Sequence, residues 1–408
     1  MTKDVRMKGF AQRVSVDHAL EWIESFPLEQ QSESVSLVDA AERVLAEDIC
    51  AEVNVPGFRR AMMDGFAVIA ADVLGADSYN PIPLDLISEI YAGQACDVDI
   101  QRGQAVQVMT GADIPASANA VVPVEFAERA PNGSSVNVLT SIAEQKHVAQ
   151  IGEDICSGAT VLDRGRILRP QDVAILASIG RGRINVVKRP DVRIIVTGNE
   201  LLPVGEKPSG VQVVDSNSVM LQALIERDGG RPDFPGILRD DPDVIRNALE
   251  SPADVILIAG GSSTGKEDHA PVLVRQLGEL AIHGIAMRPS SPAGMGRIGN
   301  KPVFLLPGNP VSCLCAYDFF AGRIVRQLSG LAPDWPYTKC KLPLGEKITS
   351  QLGRTDYARV KILDKKVHPI AISGASILSS TIEADGFCIV PEQSEGYDID
   401  SVVDVYLY

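Results

Sequence analysis

Val192-Arg193-Ile194-Ile195-Val196-Thr197-Gly198-Asn199-Glu200 is the stretch on which the fold turns. A short apolar run that ends in a glycine-containing loop reads as a strand buried on both faces. The pattern recurs twice downstream. Residues 254–259 run into Gly260-Gly261-Ser262-Ser263-Thr264-Gly265, and residues 303–306 run into Pro307-Gly308-Asn309-Pro310. Helical periodicity fills the gaps. Residues 216–227 carry Val219, Leu221, Leu224 and Ile225 on one face, and shorter helices are predicted over 243–249 and near 271–277. A long helix is predicted over 311–328. Strand alternating with helix predicts a parallel sheet with helices on both faces, a three-layer α/β domain.

Working outward, the composition changes on both sides. Residues 13–50 read as helical: Ser15 can cap a run with Ala19, Leu20, Ile23 and Phe26, and a second run passes through Leu37, Ala41, Val44 and Leu45. Residues 51–150 hold short Val/Ile-rich runs between Gly, Pro, Asn and Ser, a β-rich module. Residues 151–182 read as a returning segment, with a loop at Gly152 and a helix opened by Pro170. After the linker Ala332-Pro333-Asp334-Trp335-Pro336, short strands and turns predict a small β-barrel or sandwich. The boundaries are a connecting domain at 13–50 and 147–182, a β-rich module at 51–146, the α/β domain at 183–331 and a C-terminal β-barrel at 332–408.

Bulk properties narrow the function. With 38 Lys and Arg against 53 Asp and Glu, the chain carries a formal charge of −15. That argues against a nucleic-acid protein, which needs surplus cations facing phosphates. It leaves room for a small anion held by a local cationic pocket or a metal ion. The seven cysteines are scattered without a CxxC pair, as expected of thiols in a reducing compartment. No run is long and apolar enough for a membrane span, and Lys3, Arg6 and Lys8 precede no secretory core segment. A cytoplasmic location is expected.

The three loops after the three strands belong at the carboxyl edge of the sheet, where such folds bind ligands. Their glycines let backbone N–H groups approach an oxyanion, and a helix N-terminus adds positive potential. Together they predict a phosphate or pterin site. Gly260, four residues, Gly265 and Lys266 imitate a nucleotide-binding P-loop, but Glu267 stands where magnesium needs Ser or Thr. An unrelated nucleotide hydrolase is therefore the weakest reading. Glu200 and Asp268, the latter followed by His269, put carboxylates beside the glycines, which suits magnesium held with phosphate oxygens.

These residues resemble a known family. Met62-Met63-Asp64-Gly65-Phe66-Ala67, Met109-Thr110-Gly111-Ala112, Gly152-Glu153-Asp154, Thr197-Gly198-Asn199-Glu200, the Gly260–Gly265 loop with Asp268, and Pro307-Gly308-Asn309-Pro310-Val311-Ser312 stand in the order of the MoeA-type molybdopterin molybdenumtransferases, also found as the carboxyl-terminal part of gephyrin. The resemblance runs from about residue 14 to residue 408. It implies an elongated four-domain subunit and a homodimer whose cleft lies between the α/β domain of one copy and the β-rich module of the other. It implies insertion of molybdate into adenylylated molybdopterin, with release of AMP and a requirement for magnesium. Asp64, Thr110, Asp154, Glu200 and Asp268 would be the catalytic set, with Asp64, Glu200 and Asp268 on the metal. Gly260, Gly261, Ser262, Ser263, Gly265, Pro307, Gly308, Asn309 and Ser312 would shape the pterin–phosphate pocket. The preceding molybdopterin adenylyltransferase and acceptor apoenzymes are the implied partners.

The chain departs from the family in three places. Arg60-Ala61-Met62-Met63 replaces the usual Ser before Ala-Met-Asp-Gly, and Ser262, Ser263 and Thr264 make the central loop more polar. Where the family has Lys-Pro-Gly-Lys-Pro, this chain has Arg288-Pro289-Ser290-Ser291-Pro292. Arg288 keeps one cation for the oxyanion, Ser291 replaces the second, and Arg297 is the candidate to compensate. The competing reading is a divergent pterin-binding scaffold or cofactor carrier without metal insertion.

Overall fold

The computed structural model describes residues 13–260, 269–371 and 374–408. The chain forms two compact units, one of residues 34–186 and one of residues 187–408 with the amino-terminal segment up to Glu33. No helix among the described residues is long and apolar enough to cross a membrane. All seven cysteines are free; Cys313, Cys315 and Cys388 are buried, while Cys50 and Cys156 are exposed.

The unit of residues 34–186 is built on a six-stranded sheet in the order Ala120–Pro123, Gly65–Val68, Gln104–Val108, Ile82–Ile90, Ser135–Val138, Ala127–Arg129. Gly65–Val68 is buried along its whole length. Gly65 is required there by space: a Cβ would lie 2.0 Å from the Val122 carbonyl oxygen. A second core gathers Leu37, Leu45, Ile49, Leu168, Leu176 and Ile184. The expected second helix through Leu37 and Leu45 is absent. Leu37–Asp39 makes one 3-10 turn, Glu42 adopts φ 66°, and Val44 and Leu45 instead bridge to Ile167 and Val186. A positive φ at a non-glycine residue breaks the helical path, and the apolar side chains are buried by cross-strand contacts. The predicted cap at Ser15 and the predicted helix start at Pro170 both hold. Ser15 Oγ accepts from the His18 amide at the start of Val16–Glu24. Pro170–Ser178 opens on its proline, and Asp172 reaches back to the Arg169 amide at 3.0 Å.

In the other unit the sheet order is Arg231–Asp233, Asp191–Thr197, Val255–Ala259, Lys301–Leu306, Gly294–Ile298, Glu279–His283. The first four strands are parallel, and the last two return antiparallel. Alternate residues feed two cores. Ile194, Val196 and Leu257 pack with Leu221, Ile225 and Val311 on one face. Ile195, Ile256 and Ile258 pack with Ile245, Leu249 and Val274 on the other. This is the three-layer arrangement expected of apolar runs buried on both faces. The predicted long helix is Pro310–Ala316 and Gly322–Leu328 joined by a π turn at Tyr317–Ala321. Beside it lies a buried ionic cluster: Arg326 binds Asp228 at 2.8 Å, and Arg227 reaches both Asp228 and Asp318.

The C-terminal sheet runs Met287–Arg288, Thr355–Leu363, Gly386–Val390, Val402–Leu407, Thr338–Pro343, with Lys366–Ala371 on the other side of Thr355–Leu363. Its edge strand Met287–Arg288 comes from the α/β part of the chain. Met287 pairs in parallel with Thr355 and Arg288 with Asp356.

Candidate functional site

Two separate groups of the expected residues come together, one in each unit. In the first, pairing of Gly65 with Val108 brings the end of one strand beside the loop that leaves the other. The loops then zip together: Ala61 N–H bonds the Ala112 carbonyl at 2.9 Å, and Gly111 N–H bonds that of Ala61 at 2.8 Å. Thr110 donates to one oxygen of Asp64 twice, from its amide at 2.6 Å and its hydroxyl at 2.7 Å. These bonds favour the anion and hold the exposed Asp64 carboxyl below the usual carboxylate range, the backbone bond contributing most. Residues 148–149 pair with 60–61, and the Asp154 amide binds the Val55 carbonyl at 3.0 Å. The result is a cavity of about 560 Å³ whose walls include Pro56, Arg60, Met62, Thr110, Glu153 and Asp154. Asp64 sits beside it through Thr110.

The second group lies at the carboxyl edge of the parallel sheet. Val196, Ala259 and Leu306 end three adjacent strands in register, so the loops at Thr197, Gly260 and Pro307 leave from one edge. Gly260 has φ 97°, and a Cβ there would lie 2.6 Å from the Thr197 carbonyl oxygen, so only glycine lets these loops approach. Glu200 is exposed on the first loop. Gly261, Ser262, Ser263, Gly265 and Asp268 lie outside the described residues. Asn217, at the start of the helix Asn217–Arg227, donates from Nδ2 to the Gly308 carbonyl at 2.7 Å. Asp215 caps that helix by accepting from the amides of Asn217 and Ser218.

Pro307, Asn309 and Ser312 form one side of a cavity of about 840 Å³, Arg288 to Pro292 a second, and Gln351 to Arg354 with Gly374 and Ala375 a third. Ser290, with φ 87°, donates to the Ser312 carbonyl at 2.5 Å and ties the first two sides together. Ser291 Oγ is buried and has no hydrogen-bond partner among the described residues. Arg13, Arg288 and Arg354 all line the cavity. Beneath them is Asp356, fully buried, paired with both Arg288 and Arg354.

Arg297 does not join this group. It pairs with Pro302 near the start of Lys301–Leu306, at the opposite edge of the sheet from Pro307, and binds Glu279 at 2.9 Å. Antiparallel return of the strand Gly294–Ile298 carries it away from the loops. Arg354 and Arg13 are the cations that the sequence reading missed. The helix over 216–227 was expected, but the bond from Asn217 to Gly308 was not.

Three family profiles cover most of the chain: the MoeA N-terminal region (domains I and II) over residues 14–180, a probable molybdopterin binding domain over 193–327, and the MoeA C-terminal region (domain IV) over 341–408. A Methanocaldococcus jannaschii protein named for molybdopterin biosynthesis is 37% identical over 91% of each chain. The chain belongs to the MoeA family. Another MoeA relative, named molybdopterin molybdenumtransferase 2, from Mycobacterium tuberculosis, is 32% identical over 88% of this chain and 91% of its own. A crystal structure of the MoeA protein of Pyrococcus horikoshii superposes with a TM-score of 0.83 at 32% identity, covering 97% of this chain and 99% of that one. MoeA membership accounts for the multidomain α/β and β architecture, and for the order in which the loop motifs occur.

Proposed function

We propose that this chain is a molybdopterin molybdenumtransferase, which inserts molybdate into adenylylated molybdopterin and releases AMP. The observation that carries the reading is the arginine-lined cavity at the carboxyl edge of the sheet, bounded by Arg288, Ser291, Pro307, Asn309 and Ser312. A dianion is held there by cations and hydroxyls while backbone groups of the glycine loops face the phosphates. Full-length relatives named as transferases support an enzyme over a passive carrier.

Asp64, Thr110, Asp154 and Glu200 are assigned to the reacting end of the substrate. Magnesium is the assigned metal, and the donor chemistry fits it. Asp64 uses only Oδ1 toward Thr110, which leaves Oδ2 clear of that contact. Among the described residues no group of three or more His, Cys, Asp or Glu is gathered to hold a metal. Magnesium needs no such cage, since it takes one or two carboxylates and fills its shell with phosphate oxygens and water. When bound it would neutralise phosphate charge as the AMP leaves. We further assign the protein to the cytoplasm and to a homodimer whose cleft combines Asp64 and Thr110 of one subunit with Glu200 of the other. It would receive its substrate from an adenylyltransferase and pass its product to acceptor apoenzymes. The four domains are kept with one change, residues 13–33 packing with the α/β core rather than in the connecting domain, and the C-terminal sheet is read as a small barrel closed by the Leu344–Val367 bridge.

The test is incubation of the purified protein with adenylylated molybdopterin, magnesium and molybdate while AMP is followed. AMP release that depends on both the protein and molybdate is expected. Release no faster than in the protein-free control overturns the assignment.

A further inference from the structure

We infer that Asp356 is a positioning residue that sets the spacing of Arg288 and Arg354 and thereby makes the cavity selective among tetrahedral dianions by size. The inference rests on the oxyanion reading of that cavity and deepens it.

Asp356 has no solvent exposure, and a buried carboxylate needs strong compensation. It receives three partners. Arg288 donates from Nη2 to Oδ2 at 2.5 Å, Ser350 Oγ donates to the same oxygen at 2.8 Å, and Arg354 Nε lies 3.0 Å from Oδ1. Both arginines also line the cavity, and each is only partly exposed, at 31% for Arg288 and 25% for Arg354. Arg288 is thus hydrogen-bonded to the buried carboxylate, Arg354 is held beside it by charge alone, and each turns part of its surface toward the cavity.

The backbone reinforces the arrangement. Arg288 and Asp356 are direct neighbours in the parallel pairing of Met287–Arg288 with Thr355–Leu363, and the Thr355 amide binds the Ala286 carbonyl at 2.9 Å. The two arginines reach the site from different parts of the chain, and Asp356 is their shared anchor. An Arg fork hydrogen-bonded at one edge, as Arg288 is, loses its freedom to swing, and a second guanidinium drawn to the same carboxylate by charge keeps a set distance from it, so the pair fits one spacing of oxygens. One carboxylate against two guanidiniums also leaves one positive charge in surplus for an anion.

Molybdate and sulfate carry the same charge and the same tetrahedral shape, but molybdate is larger. Charge alone cannot separate them, whereas fixed spacing can. Replacing Asp356 by Asn keeps the volume, leaves one oxygen acceptor and turns an N–H group toward the other arginine. That frees one guanidinium and adds net positive charge.

The experiment measures binding of molybdate alone and of sulfate alone to the full chain by equilibrium dialysis. Four variants are compared with the parent: Asp356→Asn, Asp356→Glu, Ser350→Ala and Arg288→Ala. Asp356→Asn should weaken molybdate binding by about tenfold, the scale of one charge-assisted hydrogen bond. It should leave sulfate unchanged or tighter, so that the preference narrows. Asp356→Glu should recover part of the preference. Ser350→Ala, which removes a neutral bond to the same oxygen, should narrow it less. If Asp356→Asn does not fold, Ser350→Ala and Asp356→Glu decide by the same ratio. An unchanged ratio in the folded variants overturns the inference, as does equal tightening of both anions, which is a pure charge effect. If Arg288→Ala also leaves molybdate binding unchanged, the oxyanion reading itself fails. If Arg288→Ala weakens molybdate while the Asp356 and Ser350 variants keep the ratio, only the positioning role fails.

Discussion

Thr110 spends both its amide and its hydroxyl hydrogen on a single oxygen of Asp64, at 2.6 and 2.7 Å. Asp64 is thus fixed in orientation and favoured as the anion, and Thr110 leaves its second oxygen untouched. Thr110→Val removes the hydroxyl bond and keeps the amide bond. The Asp64 pKa, held low in the parent, should rise part of the way toward its ordinary value near 3.8. The sign follows from the bonds: both favour the anion, so losing one favours the proton. Carbon-detected NMR titration of the side-chain carboxyl reads the shift. An unmoved titration would show that the hydroxyl bond does not form in solution.

Asp64→Asn keeps the shape and removes the charge. AMP release should fall by roughly a hundredfold or more, the scale of losing one electrostatic contact to the transition state. Circular dichroism and melting should stay near those of the parent, because Asp64 is exposed. In a shared cleft, mixing Asp64→Asn with Glu200→Gln subunits should restore part of the activity. Demonstrated subunit exchange without recovery would place the site within one chain.

Arg288→Ala should weaken molybdate binding by about ten- to a hundredfold, corresponding to about 1.5–3 kcal/mol for a charge-assisted hydrogen bond. Arg297→Ala should leave it unchanged, since that side chain binds Glu279 at the far edge of the sheet. Ser291→Lys, which returns a cation to the segment, should tighten molybdate binding. Three half-saturation values measured side by side separate the roles.

Arg326 is 2% exposed, and its partner Asp228 is fully buried. Arg326→Met should destabilise the protein by about 3–5 kcal/mol, because Asp228 then keeps its burial with one cation fewer. Denaturant unfolding measures the loss. A change below 1 kcal/mol would mean that Arg227 alone neutralises the cluster.

Asp172 accepts from both Arg166 and Arg169, which hold its carboxyl far below the usual range. A lowered folded pKa gives stability that is present above the unfolded value and lost as pH falls through the folded one. Asp172→Asn should therefore cost stability at neutral pH, about 1.5–3 kcal/mol, and the gap to the parent should shrink on strong acidification. A gap that is constant with pH would assign the loss to packing.

The α/β domain was legible because its strands are buried on both faces, and that leaves an unbroken apolar signature at 192–196, 254–259 and 303–306. Loop glycines after those strands fixed one edge of the sheet, and the structure gathers Pro307, Asn309 and Ser312 there. Residues 37–45 misled because their spacing of apolar residues also suits short bridges, and nothing local announces the positive φ of Glu42. Arg297 looked close to Arg288 in sequence, but a strand turned back between them and carried it to the other edge. Arg354 and Asp356 were hidden for the converse reason. Arg288 is 68 residues from Asp356 in sequence, and only the strand pairing brings it to the Asp356–Arg354 pair.

Met287 and Arg288 serve as an edge strand for the C-terminal sheet, and this bears on how the protein can be dissected. The Pro-rich linker at 332–336 looks like a natural cut point. A fragment ending there would lose the hydrogen-bonding neighbour of its own cavity wall and would bare Met287, now 2% exposed. Grafting the C-terminal segment of another protein at that joint would meet the same difficulty, unless its strand could accept 287–288 in register. The two modules are therefore to be exchanged or expressed only as a pair.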